Sequence, residues 1–267
     1  SIDYINKIIN NTSEFSEILN SSKNPLIIVG TSAINYEEGE NVLKICAEIA
    51  KKLPNTSKSL NPLNILHQNI SRVGALDLGF FNSSFNFSFE KKLQDKIAQN
   101  KPVIFLLGQD EINMEILKNA FVVYLGHHGD KGASIADVIL PTPAYPEKSS
   151  TYVNAEGRVL QTSKCLSPLG DSKEEWKIFR VLSNFFENSF EFNNLQQLRE
   201  KLIIENSLFS HLFEIQKGNG ISFGSTNPIE ERDINYNIDN FYMNDVISKY
   251  SETMAKCTKE ILNRLKL

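Results

Sequence analysis

The sequence is 267 residues long, with 28 Lys and Arg against 32 Asp and Glu and a net charge of −4. That balance lacks the basic stripe of a phosphate-backbone binder, so nucleic acid is excluded as an expected partner. A chain of this size buries roughly three quarters of its unfolded surface and needs no staples to fold.

Residues 4–20 read as a helix, with Ile5, Ile8, Ile9, Phe15, Ile18 and Leu19 at helical spacing and a possible break at Asn10–Asn11. The run 25–30 (PLIIVG) has the pattern of a parallel-sheet strand buried on both faces. Residues 40–52 return to helical period through Val42, Ile45, Cys46 and Ile49. Residues 61–79 are mixed, and 80–89, rich in Phe, Asn and Ser, read as a loop. A helix over 91–99 precedes a second strand at 103–108. A helix over 112–119 then leads to a third strand at 121–126. Strand–helix–strand at this spacing is the rhythm of a parallel sheet flanked by helices.

ASIADVIL at 133–140 ends at Pro141, and a Pro-rich loop follows. Residues 151–162 form two short arms around Glu156-Gly157, a hairpin. From residue 171 the character changes. Ser172 to Glu175 reads as a capping box opening a helix with Trp176, Phe179, Leu182 and Phe186 on its apolar face. Residues 217–240 read as a loose connector. A last helix carries the stripe Val246, Ile247, Tyr250, Met254, Cys257, Ile261 and Leu265, a face that must be buried somewhere. The expected organisation is an α/β domain over 1–170, Rossmann-like and mainly parallel, and a mostly helical extension over 171–267.

No apolar run approaches the about 18–20 residues of a membrane span. The opening residues SIDYINKIINN have no apolar signal core and are not an Arg-rich transit peptide. The frequent Asn, Ile, Lys and Phe match AT-rich coding DNA of the kind organelle genomes carry. Cys46, Cys165 and Cys257 are scattered, with no CxxC pair, so these thiols cannot by themselves hold an iron–sulfur cluster. Their odd number argues against a disulfide framework.

Three strand-like runs end in glycine, at Gly30, Gly108 and Gly126, where open α/β sheets bind ligands. Thr31, Ser32, Gln109, Asp110, His127 and His128 would line a pocket there. None of these turns is a dinucleotide fingerprint or a P-loop. Adjacent residues on an extended segment point to opposite faces, so His127 and His128 are not expected to share one metal ion. Asp130, Asp137, Glu147 and Glu156 have no spacing that marks an acid–base pair, and no G-x-S-x-G is present. No catalytic or metal-ligating residue is predicted.

Residues 124–158, YLGHHGDKGASIADVILPTPAYPEKSSTYVNAEGR, resemble the molybdopterin-oxidoreductase superfamily. The matching residues are Ala136 to Pro141 ("ADV-LP"), then Glu147, Thr151, Tyr152, Asn154, Glu156, Gly157 and Arg158. A narrower resemblance runs from about Pro25 almost to the C-terminus. GHHGDKGASIADVILP, NILHQNISRVGALDLG, EEWKIFRVLS and NFYMNDVISKYSETMAKC look like the 75 kDa iron–sulfur subunit of respiratory complex I. The resemblance implies a structural portion of a peripheral-arm subunit that scaffolds electron transfer without a cofactor of its own. Iron–sulfur clusters, FMN and NADH would sit on partner subunits. The implied partners are the cluster-bearing N-terminal part of the same subunit, if separately encoded, and other peripheral-arm subunits. The implied location is the matrix side of the mitochondrial inner membrane, or the cytoplasmic face of a bacterial membrane. A vestigial pocket would be lined by His127, His128, Asn154, Glu156 and Arg158. The alternative reading is one half of an active molybdopterin-dependent oxidoreductase; a third is a nucleotide-binding α/β module.

Overall fold

The structure is a computed structural model and describes residues 2–34, 39–54, 61–80, 89–110, 112–216, 240–245 and 247–264. The chain forms two compact units, Ser1–Glu231 and Arg232–Leu267.

The first unit opens with α1 (Ile2–Ile9) and α2 (Glu14–Ser21). The helical pattern breaks where the sequence suggested. Asn11 takes a left-handed φ of 56°, a conformation asparagine tolerates better than most residues. The Ser13 hydroxyl then caps α2 by accepting from the Ser16 N–H at 3.2 Å. Strand β1 (Ile27–Gly30), helix α3 (Gly39–Lys52) and strand β2 (Leu63–Leu66) follow. β1 and β2 pair in parallel, Ile27 opposite Leu63. Val29, Ala47, Ile49, Ala50 and Leu53 are buried here. β2 was not legible in the sequence, because Asn64 interrupts its apolar run. The expected loop at 80–89 lies mostly outside the described residues.

A three-stranded parallel sheet is built next. Helix α4 (Arg72–Asp77) and helix α5 (Phe89–Asn100) precede β3 (Val103–Leu107), β4 (Phe121–Gly126), the short helix α6 (Lys131–Ser134) and β5 (Val138–Pro141). The order is β3-β4-β5. The helix expected over 112–119 is only a 3₁₀ turn, Met114–Leu117. Asn113 caps it by accepting from the Glu115 N–H at 3.1 Å. Ala120 then bonds back to Leu117 at 2.9 Å, which brings the chain straight into β4. Ile97, Leu106, Ile116, Leu117, Val122 and Tyr124 form the core on one side of this sheet, with Leu93 of α5 and Ile104 packed against it.

The hairpin β6 (Thr151–Val153) and β7 (Val159–Gln161) is antiparallel, as the two extended arms predict. Its buried Val153 and Val159 pack with Phe209. Helix α7 (Glu175–Leu182) lays Phe179 against Phe105 of β3, ring centroids 5.9 Å apart. Helices thus contact both faces of the three-stranded sheet, and the α/β class with parallel strands and flanking helices is the observed one. The capping box does not form. The Ser172 hydroxyl donates to the Leu169 carbonyl at 2.7 Å instead, and Glu174 occupies the cap position without a side-chain cap bond. Helix α8 (Leu195–Glu205) follows, and a 3₁₀ turn at Ser207–Ser210 carries the buried Phe209.

In the second unit, helix α9 covers Glu252–Arg264. The continuous helix expected from Val246 is broken at Ser251. Asp245 accepts from the Ile247 and Ser248 N–H groups at 2.8 and 3.1 Å, a local turn that competes with helix. The Ser248 hydroxyl first, and then those two N–H groups, hold the Asp245 carboxyl below its ordinary range. Val246, Leu265 and all of the connector expected at 217–240 except Asn240 lie outside the described residues. Among the described residues no helix is long and apolar enough to cross a membrane.

Candidate functional site

A cleft of about 410 Å³ opens beyond the carboxyl ends of β4 and β5. This is where an open α/β sheet places a ligand. His127, His128, Thr142, Glu147, Leu169 and Ser172 are among its lining residues.

The wall of the cleft is organised by Tyr124. Its ring is 2% exposed and folds back along β4. A Cβ on Gly126 would sit 2.2 Å from the Tyr124 hydroxyl, and one on Gly132 would sit 2.9 Å from the ring and 2.7 Å from the Gln109 carbonyl. Both positions therefore require glycine. The Tyr124 hydroxyl donates to the Asp130 carboxylate. The other Asp130 oxygen caps α6 by accepting from the Ala133 N–H at 3.0 Å. One carboxylate thus locks both a strand and the helix that follows it. Tyr124 was not singled out in the sequence, although an Asp three residues before Ala133 carries an N-cap signature.

His127 and His128 meet each other, contrary to the extended-strand expectation. The chain leaves strand geometry after Gly126, so the rings meet edge to face with centroids 4.7 Å apart and Nδ1 atoms 2.5 Å apart. Burial lowers the pKa of His127, and the neighbouring His128 and Lys148 add to the shift. Lys148 pairs with Glu175 at the start of α7, both side chains largely shielded. Glu174 beside it is pushed up by burial, but bonds from Lys177 and Trp176 outweigh this and hold its carboxyl below the ordinary range.

Asn154, Glu156 and Arg158 are not among the residues lining this cleft. They build the β6–β7 turn. The Asn154 side-chain oxygen Oδ1 accepts from the N–H groups of Glu156 and Arg158, each at 3.0 Å. Gly157 adopts φ +80°, open to glycine. Arg158 pairs with Glu156 at 3.4 Å and donates to the Phe213 carbonyl. Asp137 is equally local: its carboxylate accepts from the Val122 N–H at 2.7 Å at the entry to β4. Glu147 accepts from the Ala144 N–H at 3.0 Å. Thr31, Ser32, Gln109 and Asp110 also lie off the cleft lining. Among the described residues no three His, Cys, Asp or Glu side chains converge as a metal site.

Residues 4–185 match the family Molybdopterin oxidoreductase. The chain belongs to the molybdopterin oxidoreductase family. Residues 212–257 of this family member match a second family, the C-terminal region of the NADH-ubiquinone oxidoreductase G subunit. It is 42% identical to the NADH-ubiquinone oxidoreductase 78 kDa subunit, mitochondrial, of Candida albicans, over 90% of this chain and 34% of that protein. It is 37% identical to the NADH-ubiquinone oxidoreductase 75 kDa subunit of Reclinomonas americana, over 91% and 35%. It is 38% identical to the NADH-quinone oxidoreductase G subunit of Rickettsia bellii, over 92% and 34%. The chain therefore spans about a third of the length of these relatives.

The family name implies a pterin cofactor, and the cleft can be tested against it. Molybdopterin carries a phosphate, which calls for Lys, Arg or clustered N–H donors. Among the described residues no Lys or Arg lines the cleft, whereas the carboxyl of Glu147 does. The family-motif arginine, Arg158, is engaged at the hairpin turn. The lining does not fit the cofactor, and no chemical step is derived through it.

Proposed function

We propose that this chain is a cofactor-free structural portion of the large peripheral-arm subunit of respiratory complex I. It scaffolds the arm through which electrons pass from NADH toward quinone. What supports the reading is the identity of 37–42% with NADH dehydrogenase subunits over nine tenths of the chain. The local geometry points the same way. The motif residues Asp137, Asn154, Glu156 and Arg158 close turns and strand ends rather than converge on a substrate. Iron–sulfur clusters, FMN and NADH then belong to other parts of the assembly. The matrix side of the mitochondrial inner membrane is the proposed location, with relatives in mitochondria and in Rickettsia.

The partners are the cluster-bearing N-terminal part of the subunit and neighbouring arm subunits. If that part is a separate polypeptide, the seam is obligate-sized, roughly 2,000–5,000 Å² and apolar. The division into an α/β part over 1–170 and a helical extension beyond it belongs to this proposal. So does the α9 stripe as a contact, since Met254 and Cys257 are only half-buried and Ile261 is exposed.

The family match over 4–185 favours a second reading, half of an active molybdopterin-dependent enzyme. Gentle-detergent purification through a tag on this chain separates the two. Complex I subunits with iron and without molybdenum are the expected result. A small soluble assembly carrying molybdenum or tungsten would overturn the structural reading.

A further inference from the structure

Two imidazole nitrogens meet in the cleft wall at a separation that admits one hydrogen. The Nδ1 atoms of His127 and His128 are 2.5 Å apart, and the rings meet edge to face. Two bare nitrogens would set lone pair against lone pair. Two protonated ones would force two hydrogens into one gap. One Nδ1 therefore carries a hydrogen and the other accepts it. A metal ion does not fit the same gap. Zinc bound at about 2.0–2.1 Å from each nitrogen in tetrahedral geometry holds its ligands more than about 3 Å apart.

The backbone on either side of the pair is fixed. At the end of β4 the Gly126 carbonyl accepts from the Thr142 N–H at 2.9 Å. Asp130 is bound by the Tyr124 hydroxyl and by the Ala133 N–H. Between these anchors Gly129 is exposed, and a Cβ there would meet nothing within 4 Å. Both imidazoles line the cleft of about 410 Å³, so the rings have room to turn apart while the backbone stays in place.

We propose that His127 and His128 share one hydrogen as a pH-sensitive latch on the cleft wall, closed while at least one ring is neutral and opened when both are protonated. The proton count gives the order of events. In the neutral pair the donor ring carries its hydrogen at Nδ1 and the acceptor ring at Nε2. A first added proton goes to the unprotonated Nε2 of the donor ring and leaves the contact in place, now charge-assisted. A second has only the accepting Nδ1 to occupy, and the contact must break. The two rings thus titrate as one unit in two steps. The surroundings set where the second step falls. Burial lowers the pKa of His127 most, and His128 and Lys148 add to this. Glu147 of the 3₁₀ turn Tyr145–Glu147 and Glu175 of α7 oppose it. The net shift is downward, so the latch is closed at neutral pH and opens on acidification below the ordinary imidazole value, about 6.5. The inference goes beyond the complex I assignment and does not depend on it.

The test records histidine ring-nitrogen NMR spectra of the full chain from about pH 8 to about pH 5, across the range where imidazoles titrate. Wild type is compared with His128→Phe, which keeps a ring and removes both ring nitrogens. At the alkaline end one of the two Nδ1 atoms should carry a hydrogen and the other none. On acidification, protonation of one ring should move the Nδ1 signal of the other, and the Gly129 amide signal should shift only with the second step. In His128→Phe, His127 should titrate in a single step at higher pH than in wild type, because the donor and the neighbouring charge are both gone. The signals of His67 and His211 serve as controls and should be unchanged. Two Nδ1 atoms both bare or both protonated at about pH 8 would overturn the shared hydrogen. A His127 titration identical in the two proteins would overturn the coupling. A ring contact that persists when both are protonated, or unfolding before the second proton is taken up, would overturn the latch. If His128→Phe does not fold, the wild-type tautomers and the two-step titration decide alone.

Discussion

The two faces of the three-stranded sheet differ although the same strands build both. On one face Leu106, Val122 and Tyr124 pack with Ile97 and Leu117 into a closed core. On the other, Val123 and Leu125 of β4 are buried, whereas Val103, Phe105, Leu107 and Phe121 toward the β3 edge remain exposed, with Phe179 the aromatic contact made from α7. A strand buried on both faces gains nothing from alternation, so its sequence is apolar throughout. VIFLL is written for two covered faces while the described chain covers one well. The imbalance is general: 33 large apolar side chains are exposed among the described residues against 16 apolar side chains in the core. Among them Val103, Phe105, Leu107 and Phe121 are neighbours on one face, and adjoining apolar side chains of this kind mark interaction sites.

Removing volume from the closed face should cost most. Leu117, 1% exposed, sits at the centre of that core. Leu117→Ala is expected to destabilise the chain by about 2–5 kcal/mol, read from urea unfolding. Next is the lock at the cleft. Tyr124→Phe keeps the ring and removes the hydroxyl that bonds Asp130. A bond to a charged group contributes about 1.5–3 kcal/mol, so a loss in that range is expected. An unchanged unfolding midpoint would mean that Asp130 orders α6 without help.

A smaller, pH-dependent effect comes from the imidazoles. Burial lowers the pKa of His127, and His128 and Lys148 add to it; burial and then Arg72 do the same to His67. As pH falls, the unfolded chain takes up these protons first. The stabilising contribution is intact above the ordinary imidazole value, about 6.5, and is lost as pH drops toward the lower native values. Unfolding midpoints should therefore fall between pH 7.5 and 5.5, and His127→Gln should reduce the fall. A midpoint equally pH-sensitive in the variant would assign the effect elsewhere.

Legibility in the sequence followed the physics of each segment. β1, β3 and β4 were visible because unbroken apolar runs ending in glycine have few other readings. β2 was hidden by Asn64, and the 3₁₀ turn at Met114–Leu117 had the composition of a helix but not the room for one before β4. The motif residues Asp137, Asn154, Glu156 and Arg158 could be picked out by resemblance. That they close a strand entry and a turn depends on bonds over 2–15 residues that spacing does not encode. The meeting of His127 and His128 depends on where β4 stops, a boundary that the sequence leaves loose. The open face of β3 was the least legible, because exposure of an apolar strand depends on what the rest of the fold fails to cover.

That open face gives the smallest expected change in stability. Val103→Thr keeps the branched shape and the strand preference of valine while placing a hydroxyl on an exposed position. Within the chain alone the change should lie within about 0.5 kcal/mol, as for an ordinary surface site. Recovery of partner subunits through a tagged chain should nevertheless fall, because the partner then covers a polar group without a bond. The paired outcome distinguishes the faces better than either measurement alone. A loss of intrinsic stability approaching that of Leu117→Ala would show that Val103 belongs to the chain's own core, and the difference between the two faces would disappear. Stable protein with undiminished recovery would keep the exposed face but leave it outside the seam.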